Sequence, residues 1–247
     1  MILPNVSHCI DQNDVHYNPI VPPIHNGHEY VDLGLPSGTL WATMNVGAEK
    51  VTDYGLYFAW GETQGYTASQ VPSDKKFSWS DYKFNPSGDG STMSKYNATD
   101  GKTVLDLEDD GVNVNWGGFW QMPIKEAWSE LLNTQYVENT SVFNYNDSGV
   151  NGYLFTSVSN GNTLFIPMAG FYFNGNNQYI GNSCVVWSSS LNTSHHIYAY
   201  DLNDLGGLHI LERGERYDGL PLRGVVNKSS IEPTVIPPKE EIFVPKT

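Results

Sequence analysis

The chain has 247 residues, 39% of them apolar, and a formal net charge of −14 from 13 Lys plus Arg against 27 Asp plus Glu. That apolar share suffices for the core of one domain of about 200 residues with tails and excludes a disordered chain, whereas the acidic balance argues against nucleic acid as a partner and against adsorption to anionic lipid. No apolar run approaches the roughly 18 residues that span a bilayer, so no membrane insertion is expected.

The start, Met1-Ile2-Leu3-Pro4-Asn5, lacks a basic n-region and a long apolar h-region, so neither Sec export nor a membrane anchor is expected. Residues 1–28 are polar, with Pro19, Pro22 and Pro23 near their end, and read as an extended N-terminal arm. His25-x-x-His28 has metal-like spacing but no matching Cys or acidic residue, and reads as surface histidine. From 29 to 226 the pattern is short strands between Gly and Asn turns, expected at 29–33, 40–45, 153–158, 163–167, 185–190, 197–202, 208–211 and 220–225. Asn160-Gly161 between two of these signals a two-residue hairpin, because both residue types tolerate positive φ. Residues 64–101 are weakly patterned and read as irregular loops pinned by Phe77, Trp79, Tyr82 and Phe84. Asp106, Glu108 and Asp110 before Gly111 imitate the opening of a calcium loop, but Gly117 stands where a bidentate Glu would close it. A solvated acidic turn is the expected reading, with a different calcium geometry left open.

The segment 111–132, GVNVNWGGFWQMPIKEAWSELL, joins an aromatic, Gly-rich turn to the one expected helix. Ile124, Ala127, Trp128, Leu131 and Leu132 fall at i, i+3, i+4, i+7 and i+8 and form one apolar face behind Pro123. Strands with a helix set aside and abundant loop give an α+β class. Residues 227–247, with Pro233, Pro237, Pro238 and Pro245, read as an extended tail ordered only against a partner.

Tyr30 to Ala42 (YVDLGLPSGTLWA), Ala59-Trp60-Gly61-Glu62, Asn115-Trp116-Gly117-Gly118, Trp120-x-Met122-Pro123, Trp187-Ser188-Ser189-Ser190 and Arg216-x-x-Gly219-Leu220-Pro221-Leu222-Arg223 are specific in combination. With them the stretch 29–226 resembles the Fibrobacter succinogenes major paralogous domain, a family abundant in gut Bacteroidetes and their phages and similar to the C-type-lectin fold. The resemblance implies a C-type-lectin-like domain of short antiparallel strands, one or two short helices and much irregular loop. Ile124 stands where the family commonly has a Thr helix cap, Ala127 where it has the matching Glu, and Gly224 where it usually has Pro. Losing such a cap costs roughly 1 kcal/mol. Lectin-type Glu-Pro-Asn calcium tripeptides are absent. Relatives include targets of diversity-generating retroelements, whose variable region corresponds here to about 179–218. Its mixed residues are His195, His196, Tyr198, Asp201, Leu208, Leu211, Glu212, Arg213, Glu215 and Tyr217.

All three arginines, Arg213, Arg216 and Arg223, lie in one eleven-residue window of an acidic chain. Arg223, on a closing strand, reads as a structural partner for an internal carboxylate. Arg213 and Arg216 read as recognition residues, with a structural role as the alternative. Together with Tyr179, His195, His196, Tyr198, Tyr200, His209, Glu212, Glu215, Tyr217 and Asp218 they form the expected ligand-binding set, dominated by Tyr198, Tyr200, Arg213, Arg216 and Tyr217. Adjacent His195 and His196 point to opposite faces if they lie on a strand, so they do not share one ion. Ser188-Ser189-Ser190 lacks a Gly-x-Ser-x-Gly elbow. Cys9 and Cys184, read as free thiols, do not resemble the cysteine site of the formylglycine-generating enzymes that share the lectin fold. Trp41, Trp60, Trp116, Trp120, Trp128 and Trp187 are expected in the core.

The expected function is therefore non-enzymatic and needs no cofactor or metal: recognition of a host cell-surface glycan or protein, from a phage virion or a bacterial surface. Release by phage lysis would explain the missing export signal, as would a signal replaced by an initiating Met. The alternative is a structural virion component whose termini dock onto neighbouring subunits. Both leave room for a homo-oligomer, and both place the protein on the virion surface or outside the cell.

Overall fold

A computed structural model describes residues 22–231. The expected extended character of 1–21 and 232–247 lies outside the described residues. Fourteen strands and two α-helices occur among the described residues, with five short 3-10 turns, so the domain is mostly strand and loop with little helix. No described helix is long and apolar enough to cross a membrane.

In chain order the first elements are β1 (Ile24–His25), β2 (His28–Asp32), β3 (Thr39–Asn45) and β4 (Tyr57–Phe58), followed after a long loop by α1 (Gly111–Trp116) and α2 (Lys125–Leu131). Next come β5 (Val137–Val142), β6 (Gly152–Ser157), β7 (Thr163–Pro167), β8 (Phe171–Phe173) and β9 (Asn176–Gln178). The last are β10 (Val186–Leu191), β11 (Tyr198–Asn203), β12 (His209–Glu215), β13 (Leu220–Pro221) and β14 (Arg223–Asn227). Every pairing between strands is antiparallel. One sheet runs β1-β2-β3-β14, a second β5-β6-β7, a third β10-β11-β12, and β8-β9 and β4-β13 form two-stranded ribbons.

The eight expected strands all form, but two change shape. The segment expected at 208–211 extends to Glu215, and that at 220–225 divides around Leu222 into β13 and β14. The Asn160-Gly161 signal does mark a hairpin, between β6 and β7. Its loop is longer than two residues, because Thr156 pairs with Thr163 and the Ser157 N–H turns back to the Asn162 carbonyl. Only Gly161 there takes positive φ, 73°. The boundary drawn at residue 28 also moves. Ile24 pairs with Glu29 and the Trp120 Nε1 donates to the His25 carbonyl, 2.9 Å away, so the end of the expected arm is a strand of the first sheet.

Alternation along β3 explains why its sheet can divide two cores. Leu40 and Ala42 face one apolar cluster with Phe58, Trp60, Trp120 and Trp187, while Trp41 faces another with Trp128, Leu131, Phe155 and Ile166. Val186 and Trp187 on β10 split the same way, as period-two side chains on a strand covered from both sides must. Of the six tryptophans expected in the core, five are fully buried and Trp116 is half-buried with the His28 ring stacked on it at 4.1 Å. Phe77, Tyr82 and Phe84 are buried and do anchor the 64–101 loops.

Helix α2 buries Trp128 and Leu131, as its periodicity demands. Ile124 is its N-cap, offers no side-chain cap and stays exposed rather than joining the apolar face. Helix α1 lies where a Gly-rich turn was expected, because Asp110 caps it. One Asp110 oxygen accepts from the N–H groups of Val112 (2.9 Å) and Asn113 (3.0 Å), and the other from Met122 (2.8 Å). Asp110 is thus buried and not part of a solvated turn; burial, opposed by these three hydrogen bonds, raises its pKa to about 6. Replacing Asp110 with Ala removes the cap and orphans the buried Met122 N–H, an expected loss of about 2–4 kcal/mol. Urea unfolding at neutral pH measures it. A loss within the noise would mean that α1 does not depend on this carboxylate.

Candidate functional site

The expected ligand-binding residues divide into those that line one cleft and those that do not. The cleft, about 500 Å³, is bounded by Phe171 and Phe173 of β8, Gln178 of β9 and the following Tyr179. Its opposite side is built from Tyr198, Asp201 and Asn203 of β11, Leu211, Arg213, Gly214 and Glu215 of β12, and Asp218. Of the expected residues, Tyr179, Tyr198, Arg213, Glu215 and Asp218 therefore meet at a single place.

Local backbone geometry puts them there. Ala199 pairs with Gly214 but Asp201 pairs with Leu211, so β12 carries one residue more than β11 over this stretch. Such a bulge bends its strand and re-aims the side chains around it. Gly214 sits under the bulge because nothing larger fits. A Cβ there would lie 2.4 Å from the Asp201 Oδ2 and 2.6 Å from the Trp187 ring. The far wall is held by paired hydrogen bonds between Tyr172 of β8 and Gly219, 2.9 Å in each direction.

Two carboxyls of the cleft are buried. Asp201 Oδ1 accepts from the Asn203 amide at 3.0 Å, while Asp201 Oδ2 and Asp218 Oδ1 have no hydrogen-bond partner. Burial raises both pKa values well above the carboxylate range, and for Asp218 the neighbouring Glu215 and Asp201 charges add to it. Arg213 is exposed at the same cleft and has no ion pair among the described side chains. The side chain of Glu212 lies outside the described residues.

The remaining expected residues sit elsewhere. Arg216 is completely buried and cannot contact a ligand. Its Nε donates to the Tyr82 hydroxyl (2.9 Å), one terminal nitrogen to the carbonyls of His196 (2.7 Å) and Tyr96 (3.1 Å), and the other to that of Lys95 (3.2 Å). The rings of Trp60, Tyr82, Phe84 and Tyr96 surround its guanidinium with centroids at 4.8–5.8 Å. Tyr217 is also buried, against Trp79 and Phe173, and its hydroxyl donates to Glu215. Large size marked both as recognition residues, but the same size makes them suitable core residues when backbone turns them inward. Arg223 is structural as expected, yet its guanidinium donates to the carbonyls of Ala42 (2.9 Å) and Phe165 (3.3 Å) rather than to a carboxylate, and burial lowers its pKa to about 9. Tyr200 faces α2, where the Lys125 ammonium stands 4.5 Å from its ring centre. His195 and His196 lie in the turn before β11, not on a strand, and neither lines the cleft; nor does His209.

Asp201, named among the mixed residues of 179–218 but left out of the ligand-binding set, carried a readable signal, the one carboxyl of the strand Tyr-Ala-Tyr-Asp-Leu-Asn. Phe171 and Phe173 carried none, since a three-residue strand is too short to show periodicity.

The acidic turn is organised by lysines. Asp106, Glu108 and Asp109 bring their oxygens within 4.8 Å of one another, as cation ligands would. The Lys95 ammonium occupies that position, 2.5–2.8 Å from all three, and Lys83 pairs with Asp109 at 2.6 Å. The serine run 188–190 is buried on β10, and Cys184 is a buried free thiol whose pKa burial raises. No family model matches the chain, and no curated protein or solved structure is found to be similar to it.

Arg213→Ala is expected to leave stability within about 0.5 kcal/mol, whereas Arg216→Ala strands four acceptors and empties a ring cage, costing about 3 kcal/mol or more. Equal losses in chemical denaturation would refute the division between them. A pH effect follows from the acidic pair. With native pKa values raised above about 3.8, Asp201 and Asp218 contribute stability that is complete below the unfolded value and lost as pH rises through the native values. The Asp201→Asn, Asp218→Asn double variant should therefore unfold with a flatter pH dependence above the ordinary carboxylate range, and outlast the parent at the upper end. A parallel pair of curves would remove these two groups from the balance.

Proposed function

We propose that the chain is a non-enzymatic recognition protein, a C-type-lectin-like domain of the Fibrobacter succinogenes major paralogous kind. In this reading it is displayed on a phage virion or bacterial surface and binds a host cell-surface glycan through the cleft beside β11 and β12. The observation that carries the reading is the convergence of Tyr179, Tyr198, Arg213, Glu215 and Asp218 on one cleft. Its volume falls within the range of small-ligand pockets, and aromatic faces beside carboxyl and amide groups suit the mixed apolar and hydroxylated surface of a sugar. A rigid wall matters equally, since side chains held in place lose less entropy on binding. The burial of Ser188, Ser189, Ser190 and Cys184 supports the non-enzymatic part, because a nucleophile must be reachable.

Replacing Tyr179, Tyr198 and Arg213 together with Ala should leave unfolding cooperative and weaken attachment to Bacteroidetes cells by at least about 2 kcal/mol, the scale of a binding hot spot. Attachment should also survive a calcium chelator. Undiminished attachment of the folded triple variant, measured by cell pull-down or flow cytometry, would move the site elsewhere.

A further inference from the structure

We infer that the cleft selects a sugar carrying a free primary ammonium, which Asp201 and Asp218 receive while the aromatic wall holds the ring. The inference rests on the recognition reading above and names its ligand class.

Two buried carboxyls line this cleft and each keeps one oxygen without a hydrogen-bond partner. A buried polar atom left unpaired is costly, and such atoms in folded proteins usually have an unseen partner. An ionised carboxyl needs a donor there, and a cationic one if both groups are to ionise, because two like charges in one dry site do not ionise together. Among the described residues no cationic side chain pairs with either group. Arg213 is in the cleft but makes no ion pair within the described side chains, and Asn203 brings a neutral amide to Asp201 alone.

The walls then discriminate among cations. A calcium ion needs six to eight oxygens distributed around it, but Phe171, Phe173, Tyr179 and Tyr198 supply much of this lining. A quaternary ammonium suits aromatic rings but has no N–H for the vacant oxygens. A primary ammonium on a sugar ring answers both needs. Its three N–H groups reach acceptors, and the C–H face of the ring lies on the aromatic side. Gly214 preserves the room in which the Asp201 carboxyl sits. Exposed Arg213 remains available to hydroxyl or carboxylate substituents farther out.

The test compares a trisaccharide of glucosamine with its fully N-acetylated counterpart, the same skeleton without the charge, by isothermal titration calorimetry on the full chain. A Gly-Lys-Gly peptide supplies the ammonium without the sugar. The aminated sugar should bind at least tenfold more tightly than either of the others. Asp218→Asn should erase that preference, and Tyr179→Ala, at the exposed rim, should weaken the aminated sugar without altering the melting temperature. The peptide binding as tightly as the aminated sugar would overturn the sugar assignment. Equal binding of the two sugars, or retention of the preference in a folded Asp218→Asn variant, would overturn the ammonium assignment. If no probe binds while the protein still attaches to host cells, the ligand class is wrong and the recognition reading stands. Absence of both would remove the two together.

Discussion

A single buried cation holds the loop-rich half of the domain to its strands. Arg216 enters the interior with no carboxylate paired to it among the described residues, so its desolvation has to be offset by hydrogen bonds and by the faces of surrounding rings. Three backbone carbonyls and the Tyr82 hydroxyl accept from it, and four aromatic rings enclose it. Its partners come from distant parts of the chain: Trp60 after β4, Tyr82 to Tyr96 in the long loop, and His196 before β11. Arginine suits this place because its donors form a planar fork that can reach separate acceptors at once. A lysine would serve one point and leave the other carbonyls unpaired.

The same network connects to the acidic turn. Tyr96, whose carbonyl accepts from Arg216, donates its hydroxyl to Asp109, and Asp109 also receives Lys83 and Lys95. The sequence 106–110 therefore organises a loop by pairing with lysines, and then starts α1 through Asp110. Chain segments with little regular structure need such polar fixings, because their backbone groups have few ladder partners. The 64–101 loops form the underside from which Tyr217, packed on Trp79, supports the wall of the cleft.

Strands were legible where five or more residues rich in aromatic, aliphatic and β-branched types run between turn residues, as in β3, β6, β7 and β11, whereas the polar Glu-Asn-Thr-Ser interior of β5 hid that strand. The two-residue β4 and the three-residue β8 and β9 give no such record and arise from tertiary pairing. Helix α1 was hidden behind Gly111, since a capping Asp is visible only once the N–H groups it serves are known. The candidate site was legible as a region and not as a residue set. Arg213 and Arg216 stand three residues apart with the same chemistry, so period-two alternation alone sends them to opposite faces, one exposed at the cleft and the other enclosed; the irregularity in β12 between Leu211 and Gly214 left one mark in the sequence, Gly214 itself.

That irregularity also governs the chemistry of the site. Without the extra residue in β12, strict alternation would carry Leu211, Arg213 and Glu215 along one uninterrupted face opposite β11. With it, the pairing steps from Leu211 to Gly214, and the Asp201 carboxyl closes onto the one residue there without a side chain. The Trp187 ring crowds the same spot, 2.6 Å from where a Gly214 Cβ would stand. The unpaired oxygen of Asp201 is buried, and Asp201 lines the cleft together with Phe171 and Phe173 of the β8–β9 ribbon. The bulge, the glycine and the buried acid are thus one arrangement, and a donor arriving through the cleft is the element that completes it.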